Sequence, residues 1–253
     1  MISLKTSNWQ IKNIDTILFD KDGTFIDLHY FWGKMTELRA KEVIKNFKLN
    51  ENLFEKICLI LGYNIITKKM LADGITALYS RSKIIEIFKN DLEKIGVKTS
   101  EKELEGIFDF VSENFYKNMQ QYTKPINEAI DFIKKIKNLG LKIGIVTSDS
   151  KTSTLLTLEH FEWENLFDIV IGREDSPHTK ESGEPTKLAL NLLNANPNTT
   201  IMIGDAPMDY ISAKNANIKN TILVATGQIS KEELIKISPY SINSLNEIEV
   251  TID

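Results

Sequence analysis

The stretch Thr16-Ile17-Leu18-Phe19-Asp20-Lys21-Asp22-Gly23-Thr24 decides how the chain is read. A short apolar run ends in two aspartates one residue apart, and a glycine and a hydroxyl residue follow at once. As a strand, Ile17 to Phe19 reads as buried on both faces, which is the mark of a central parallel strand. Side chains alternate with period two, so Asp20 and Asp22 share a side at the strand's carboxyl end. The rim beyond those strand ends is where open α/β sheets bind ligands. Two carboxylates gathered there repel each other unless a cation lies between them. The same residues also fit a tight turn, because Asp-Gly is a common hairpin signal. The stretch alone leaves both readings open.

The totals bound the rest. Of 253 residues, 42% are hydrophobic and 26% charged, an ordinary globular composition for one large domain or two modest ones. The formal net charge is −4 and the basic residues form no block, so nucleic acid is not an expected partner. The single cysteine, Cys58, excludes an intrachain disulfide, and its apolar neighbours suit inert burial. Residues 1–10 lack the apolar core of a signal peptide, and no apolar run is long enough to span a membrane. A cytoplasmic protein, monomeric or homodimeric, is the expectation.

Beyond the opening stretch, residues 28–120 read as all helical. Helical spacing is clear over residues 33–48, 52–61 and 84–95, and Ser100 with Glu103 forms a capping-box signature ahead of another helix. Residues 62–82 read as a loop with one helical turn. From Pro125 onward the pattern changes. Strands at residues 142–146, 168–172, 200–203 and 221–225 alternate with helices, which fits right-handed βαβ crossovers and a parallel sheet. A helix at 231–237 and a short edge strand at 240–242 close the reading. The opening strand finds no partner in the helical segment, so it joins the later sheet and the helices form an insertion. The expected fold class is α/β, a Rossmann-like three-layer parallel-sheet core with an inserted all-helical cap domain. The boundaries are 1–27 and 122–253 for the core and 28–121 for the cap.

Three further strand ends carry chemistry. Thr147-Ser148 offers hydroxyls and backbone N–H groups where a strand meets a helix, suited to an anion or to plain capping. Gly204-Asp205 and Asp209 bring two more carboxylates to a strand end, where helix-dipole stabilisation is the plainer use. Lys180 lies in a polar connection. Taken together, Asp20, Asp205 and Asp209 with the Asp22 carbonyl supply the oxygen ligands that Mg²⁺ prefers. His29, His160 and His178 lack metal-ligand spacing. Thr147, the following N–H groups and Lys180 suit a phosphoryl group, whose transfer is mostly a matter of position and charge.

In order, Asp20-Lys21-Asp22-Gly23-Thr24, the strand ending at Thr147, Lys180, and Gly204-Asp205 with Asp209 resemble the four motifs of the haloacid-dehalogenase-like phosphohydrolases. The resemblance covers the whole chain. The insertion after the first motif looks like the C1-type cap of the phosphoglycolate phosphatase and β-phosphoglucomutase branch. The resemblance implies that Asp20 is a nucleophile forming an aspartyl-phosphate, and that Asp22 is the general acid and base. It implies that Asp205 and Asp209 hold Mg²⁺, and that Thr147, Ser148 and Lys180 bind phosphate. Asp22 also argues against dehalogenation, because the resembled dehalogenases lack the second aspartate.

Two departures stand out. Relatives often carry lysine, proline, any residue, proline in the third motif, whereas this chain has Lys180-Glu181-Ser182-Gly183-Glu184-Pro185. That makes Lys187 a rival for Lys180. Ser148 stands where relatives commonly have asparagine. In the insertion, His29, Trp32, Lys68 and Arg81 are candidate substrate contacts, though the aromatics of residues 29–32 also suit core or hinge packing. The resulting expectation is a Mg²⁺-dependent phosphatase on a small phosphorylated substrate. A phosphosugar mutase and a non-catalytic phosphate-binding protein are the alternatives. Hinges near Asp27 and residues 122–125 are expected to let the cap close.

Overall fold

The structure, a computed structural model, describes residues 1–252. The chain divides into two compact units, Met1–Asp27 with the chain from Pro125 on, and Leu28–Lys124. It opens with β1 (Ile2–Lys5), β2 (Gln10–Ile14) and β3 (Thr16–Phe19). Only β3 is visible to the sequence reading. Strands β1 and β2 pair antiparallel with a register shift between Ile2 and Leu4, and Asn13 has a φ of 59°. Those irregularities break the period-two pattern that a strand prediction needs. In β3, Ile17, Leu18 and Phe19 are fully buried, each contributing about 1.5–3 kcal/mol. Directly after β3 the chain does turn. The Lys21 carbonyl accepts N–H groups of Thr24, Phe25 and Ile26 at 3.2, 3.1 and 3.1 Å. Gly23, at φ +87°, takes the left-handed conformation that only glycine adopts without strain. Both readings of the opening stretch therefore hold: it is a turn, and it ends a parallel strand.

The second unit begins with α1 (Leu28–Asn46). The helix starts at Leu28, not at Gly33 as the periodicity suggests. Its buried stripe includes Phe31, Met35, Arg39 and Val43, and the charged Arg39 within that stripe masks the pattern. Arg39 lies with its guanidinium 4.2 Å from the Phe108 ring centre. Helix α2 (Phe54–Ile60) is followed by a small hairpin, β4 (Tyr63–Asn64) and β5 (Lys69–Met70), and by the short α3 (Ile75–Leu78). The helical turn matches expectation; the hairpin does not, because two-residue strands carry no periodic signal. Next come α4 (Arg81–Lys94), α5 (Glu101–Lys117) and α6 (Met119–Tyr122). The capping box at Ser100 and Glu103 is present. Edge-to-face packing of Phe31 on Phe115, centres 5.0 Å apart, joins α1 to α5.

From Pro125 the first unit resumes with α7 (Asn127–Asn138), β6 (Lys142–Val146), α8 (Lys151–His160), β7 (Ile169–Ile171), α9 (Glu184–Leu192) and β8 (Thr200–Gly204). It ends with α10 (Pro207–Asn215), β9 (Asn220–Val224), α11 (Lys231–Leu234), β10 (Ser241–Ile242) and β11 (Glu249–Ile252). Six strands form a parallel sheet in the order β10-β9-β8-β3-β6-β7. Strand β3 is central, as its double-sided burial requires. Strand β11 joins β1 and β2 in a separate antiparallel sheet. On one face Leu18, Val146 and Met202 pack under Ala189, Leu190 and Ala213 of α9 and α10. On the other, Phe19 meets Phe132 of α7 with centres 6.4 Å apart. This is a three-layer α/β fold. Phe19 stands opposite both Ile145 and Ile203. The three central strands thus end level, and Asp20, Thr147 and Asp205 emerge on one rim.

Candidate active site

Asp20 is the first residue beyond β3, and its N–H donates to the Ile203 carbonyl at 2.8 Å. The side chain is largely buried. Its partner is Lys180, whose Nζ lies 2.5 Å from Asp20 Oδ1 and 2.6 Å from Asp209 Oδ1. Lys180 opens the single helical turn Lys180–Ser182 ahead of α9, and is itself buried. Lys187, by contrast, is half-buried and pairs with Glu184 at 2.8 Å. The turn supplies the reach that the missing proline pattern obscures, so Lys180 is the lysine that meets Asp20.

Asp209 sits in the first turn of α10, and its Oδ2 accepts the Ala206 N–H at 3.0 Å. Asp205 follows β8 and is buried, with no lysine or arginine of the described residues in ion-pair distance. One oxygen from each of Asp20, Asp205 and Asp209 lies within 4.8 Å of the others. Burial pushes the Asp20 carboxyl up to about 7, against the opposing pull of Lys180 and with help from the charges of Asp209 and Asp22. Burial raises Asp205 well above the usual carboxylate range, and the nearby charges of Asp20 and Asp209 add to it. Burial alone would lower Lys180; the carboxylates of Asp20 and Asp209 reverse that and raise it. Three buried carboxylates therefore face one ammonium. An all-oxygen donor set with excess negative charge fits a small, hard divalent cation.

Thr147 is buried, and its Oγ1 accepts the Asp149 N–H at 3.0 Å. The capping reading of Thr147 and Ser148 gives way to Ser150, whose Oγ accepts the Ser153 N–H at 3.0 Å and caps α8. Ser148 is exposed, with its Oγ 3.4 Å from Met208 Sδ. Lys21 is fully buried beside Asp22 and Asp149, its Nζ 3.1 Å from Asp22 Oδ1 and 2.7 Å from Asp149 Oδ2. Burial would raise Asp149, yet the Lys21 ammonium and hydrogen bonds hold it below the ordinary value.

Two residues escaped the sequence reading. Thr226 Oγ1 donates to the Gly23 carbonyl at 2.5 Å, which ties the turn after β9 to the turn after β3. At Gly227 a Cβ would overlap the Asp205 carboxylate. The signal was present: Ala225-Thr226-Gly227 follows a parallel strand on the same rim, but it carries no charge.

The insertion candidates lie in the helical unit. His29 Nδ1 accepts the Met70 N–H at 3.1 Å, and Trp32 packs edge-on against Phe31 with centres 5.4 Å apart. Arg81 pairs with Asp109 at 2.6 Å, and Lys68 is exposed. A surface groove lined by Asn198, Tyr210, Lys214 and Lys219 holds none of the strand-end carboxylates.

Residues 59–224 match the family model described as haloacid dehalogenase-like hydrolase. A Caldanaerobacter subterraneus protein named after the pyrophosphatase PpaX is 28% identical over 207 residues, 82% of this chain and 80% of its own length. The pyrophosphatase PpaX of Bacillus cereus is 24% identical over 206 residues, 81% of each chain. Among solved structures, a predicted phosphoglycolate phosphatase from Haemophilus somnus superposes with a TM-score of 0.70 at 15% identity, over 94% of this chain and 97% of that one. At such identity the superposition speaks for the fold alone.

Proposed function

Since the chain belongs to the haloacid dehalogenase-like hydrolase family, we propose that it is a Mg²⁺-dependent phosphatase that hydrolyses a small phosphomonoester through an aspartyl-phosphate. The observation that carries this reading is the buried cluster of Asp20, Asp205 and Asp209 around the Lys180 ammonium, at the level ends of parallel strands. Asp20 attacks phosphorus and the ester oxygen departs, leaving the phosphoryl group on the carboxylate. Asp22 gives its proton to the departing alkoxide. It then takes a proton from the water that attacks the aspartyl-phosphate, and phosphate and free Asp20 result. Thr147, Ser148 and Lys180 hold phosphoryl oxygens. The carboxylates of Asp20, Asp205 and Asp209 and the Asp22 carbonyl would hold the metal. When bound, Mg²⁺ supplies charge neutralisation for the phosphoryl group and favours the ionised form of Asp20. The helical unit, Leu28–Lys124, is proposed as a cap that selects the leaving group.

The relatives named as pyrophosphatases favour a second substrate, inorganic pyrophosphate, whose leaving group is phosphate instead of an alkoxide. A substrate panel tests both. Phosphate release is measured from p-nitrophenyl phosphate, phosphoglycolate, glucose 1-phosphate and pyrophosphate, with Mg²⁺ and with EDTA. Release that needs Mg²⁺ and disappears in Asp20→Asn supports the reading. Isomerised sugar phosphate without release would identify a mutase, and full turnover by Asp20→Asn would remove the aspartyl-phosphate mechanism.

A further inference from the structure

Lys21 has no place in the mechanism just described, yet it is the most completely enclosed charge beside the site. It has no exposed surface, and its ammonium lies between Asp22 and Asp149, 3.1 and 2.7 Å from their oxygens. The other end of the residue is equally committed, since its carbonyl accepts the three N–H groups that close the turn carrying Asp22 and Gly23. Asp149 in turn is fixed on every side. Its N–H donates to Thr147 Oγ1 at 3.0 Å, its Oδ1 accepts the Ser150 N–H at 2.7 Å, and its carbonyl accepts the Arg173 N–H at 3.0 Å. A continuous line of contacts therefore runs from Asp22 through Lys21 and Asp149 to Thr147. It spans the ends of two adjacent strands, β3 and β6.

Stability alone is a poor reason for such an arrangement. Burying an ion pair costs desolvation that apolar residues of similar volume avoid, so replacing the whole pair is often neutral or stabilising. What a rigid ion pair supplies is direction: an ammonium with two carboxylate partners fixes where each carboxylate points.

We propose that Lys21 is a positioning residue that sets the Asp22 carboxylate against the loop presenting Thr147. One ammonium thus fixes the spacing between the group that protonates the leaving oxygen and the group that holds the transferred phosphoryl. The proposal rests on the reading of Asp22 as acid and base. Lys21 transfers no proton and touches no substrate atom in it. The consequence lies in leaving-group dependence. An alkyl ester needs a proton on its oxygen as the bond breaks; an aryl ester with a stabilised phenolate needs it far less. Misplacing Asp22 therefore harms alkyl esters selectively.

The test compares kcat/KM for p-nitrophenyl phosphate and glycerol phosphate at saturating Mg²⁺, because kcat/KM covers the steps up to leaving-group departure. Lys21→Met is measured together with the double variant Lys21→Met/Asp149→Asn. The single change strands a buried carboxylate, whereas the double change removes both charges and keeps a side chain that accepts the Ser150 N–H. Melting curves identify which variants are folded, and the double variant carries the comparison if the single one is not. The expected result is a loss on glycerol phosphate at least about tenfold larger than on p-nitrophenyl phosphate. Equal losses on both esters, or no loss on either, in a folded variant would overturn the role of Lys21 alone. A wild-type enzyme that hydrolyses neither ester with Mg²⁺ removes the phosphatase reading and this proposal with it.

Discussion

The ammonium of Lys180 stands 2.6 Å from Asp209 Oδ1, and this pair ties the helical turn before α9 to the first turn of α10. The same ammonium reaches Asp20, so one side chain bridges two of the three carboxylates in the cluster. Lys180→Ala leaves Asp20 and Asp209 buried with no cation. Turnover with Mg²⁺ should fall by about 10²–10³-fold, the scale for removing one charge-stabilising donor from such a site. Steady-state kinetics check this, and Lys187→Ala, whose side chain pairs with Glu184 instead of the cluster, should retain wild-type rates.

Gly227 is argued from space alone. A Cβ there would overlap the Asp205 carboxylate, so Gly227→Ala must displace Asp205 or the turn after β9. The expected outcome is weaker Mg²⁺ activation, with the half-saturating Mg²⁺ concentration raised at least about tenfold, the scale on which a displaced supporting residue costs metal affinity. A Mg²⁺ titration of activity reads it directly. An unchanged titration would show that the turn yields without moving Asp205.

The raised carboxyls set the sign of a pH effect on the metal-free protein. Asp20 keeps its proton up to about 7 when folded, against an ordinary value of 3.8. Between those values the folded state holds a proton that the unfolded state has lost. Stability therefore falls as pH rises through that window, and Asp205 shifts in the same direction. Bound Mg²⁺ opposes the loss because it binds the ionised carboxylates of the folded state. The melting temperature in EDTA should drop between pH 5 and pH 7.5 by more than it does in Mg²⁺. A melting temperature in EDTA that rises over this range would contradict the assignment.

Leu18 tests the core beneath the site. It is fully buried between β6 and β8 and under α9 and α10, the second of which carries Asp209. Leu18→Ala should cost about 2–5 kcal/mol, read by urea denaturation.

Several features are legible in the sequence. The apolar run at Ile17 to Phe19 marked a strand buried on both faces, and the alternation after Pro125 marked the parallel sheet it joins. Charged residues at strand ends marked the rim. The capping box at Ser100 was readable because its signal lies within four consecutive residues. Other features stayed hidden for identifiable reasons. Irregular strands such as β1 and β2 lack a period, the two-residue strands β4 and β5 are too short to have one, and a buried arginine interrupts the stripe of α1.

The sequence by itself determined the family and the set of candidate site residues, because the aspartates, the threonine and their order are local facts. Only the tertiary structure decided distance. It brought Lys180 rather than Lys187 to Asp20, left Asp205 with no lysine or arginine of the described residues in ion-pair distance, set Gly227 against Asp205, and buried Lys21 between Asp22 and Asp149. Gly227 meets Asp205, and Lys21 meets Asp149, across separate strand ends, while Lys180 reaches Asp20 from the turn ahead of α9. They meet because parallel strands in register end at one level, and no pattern along a single segment records which residues will share that level.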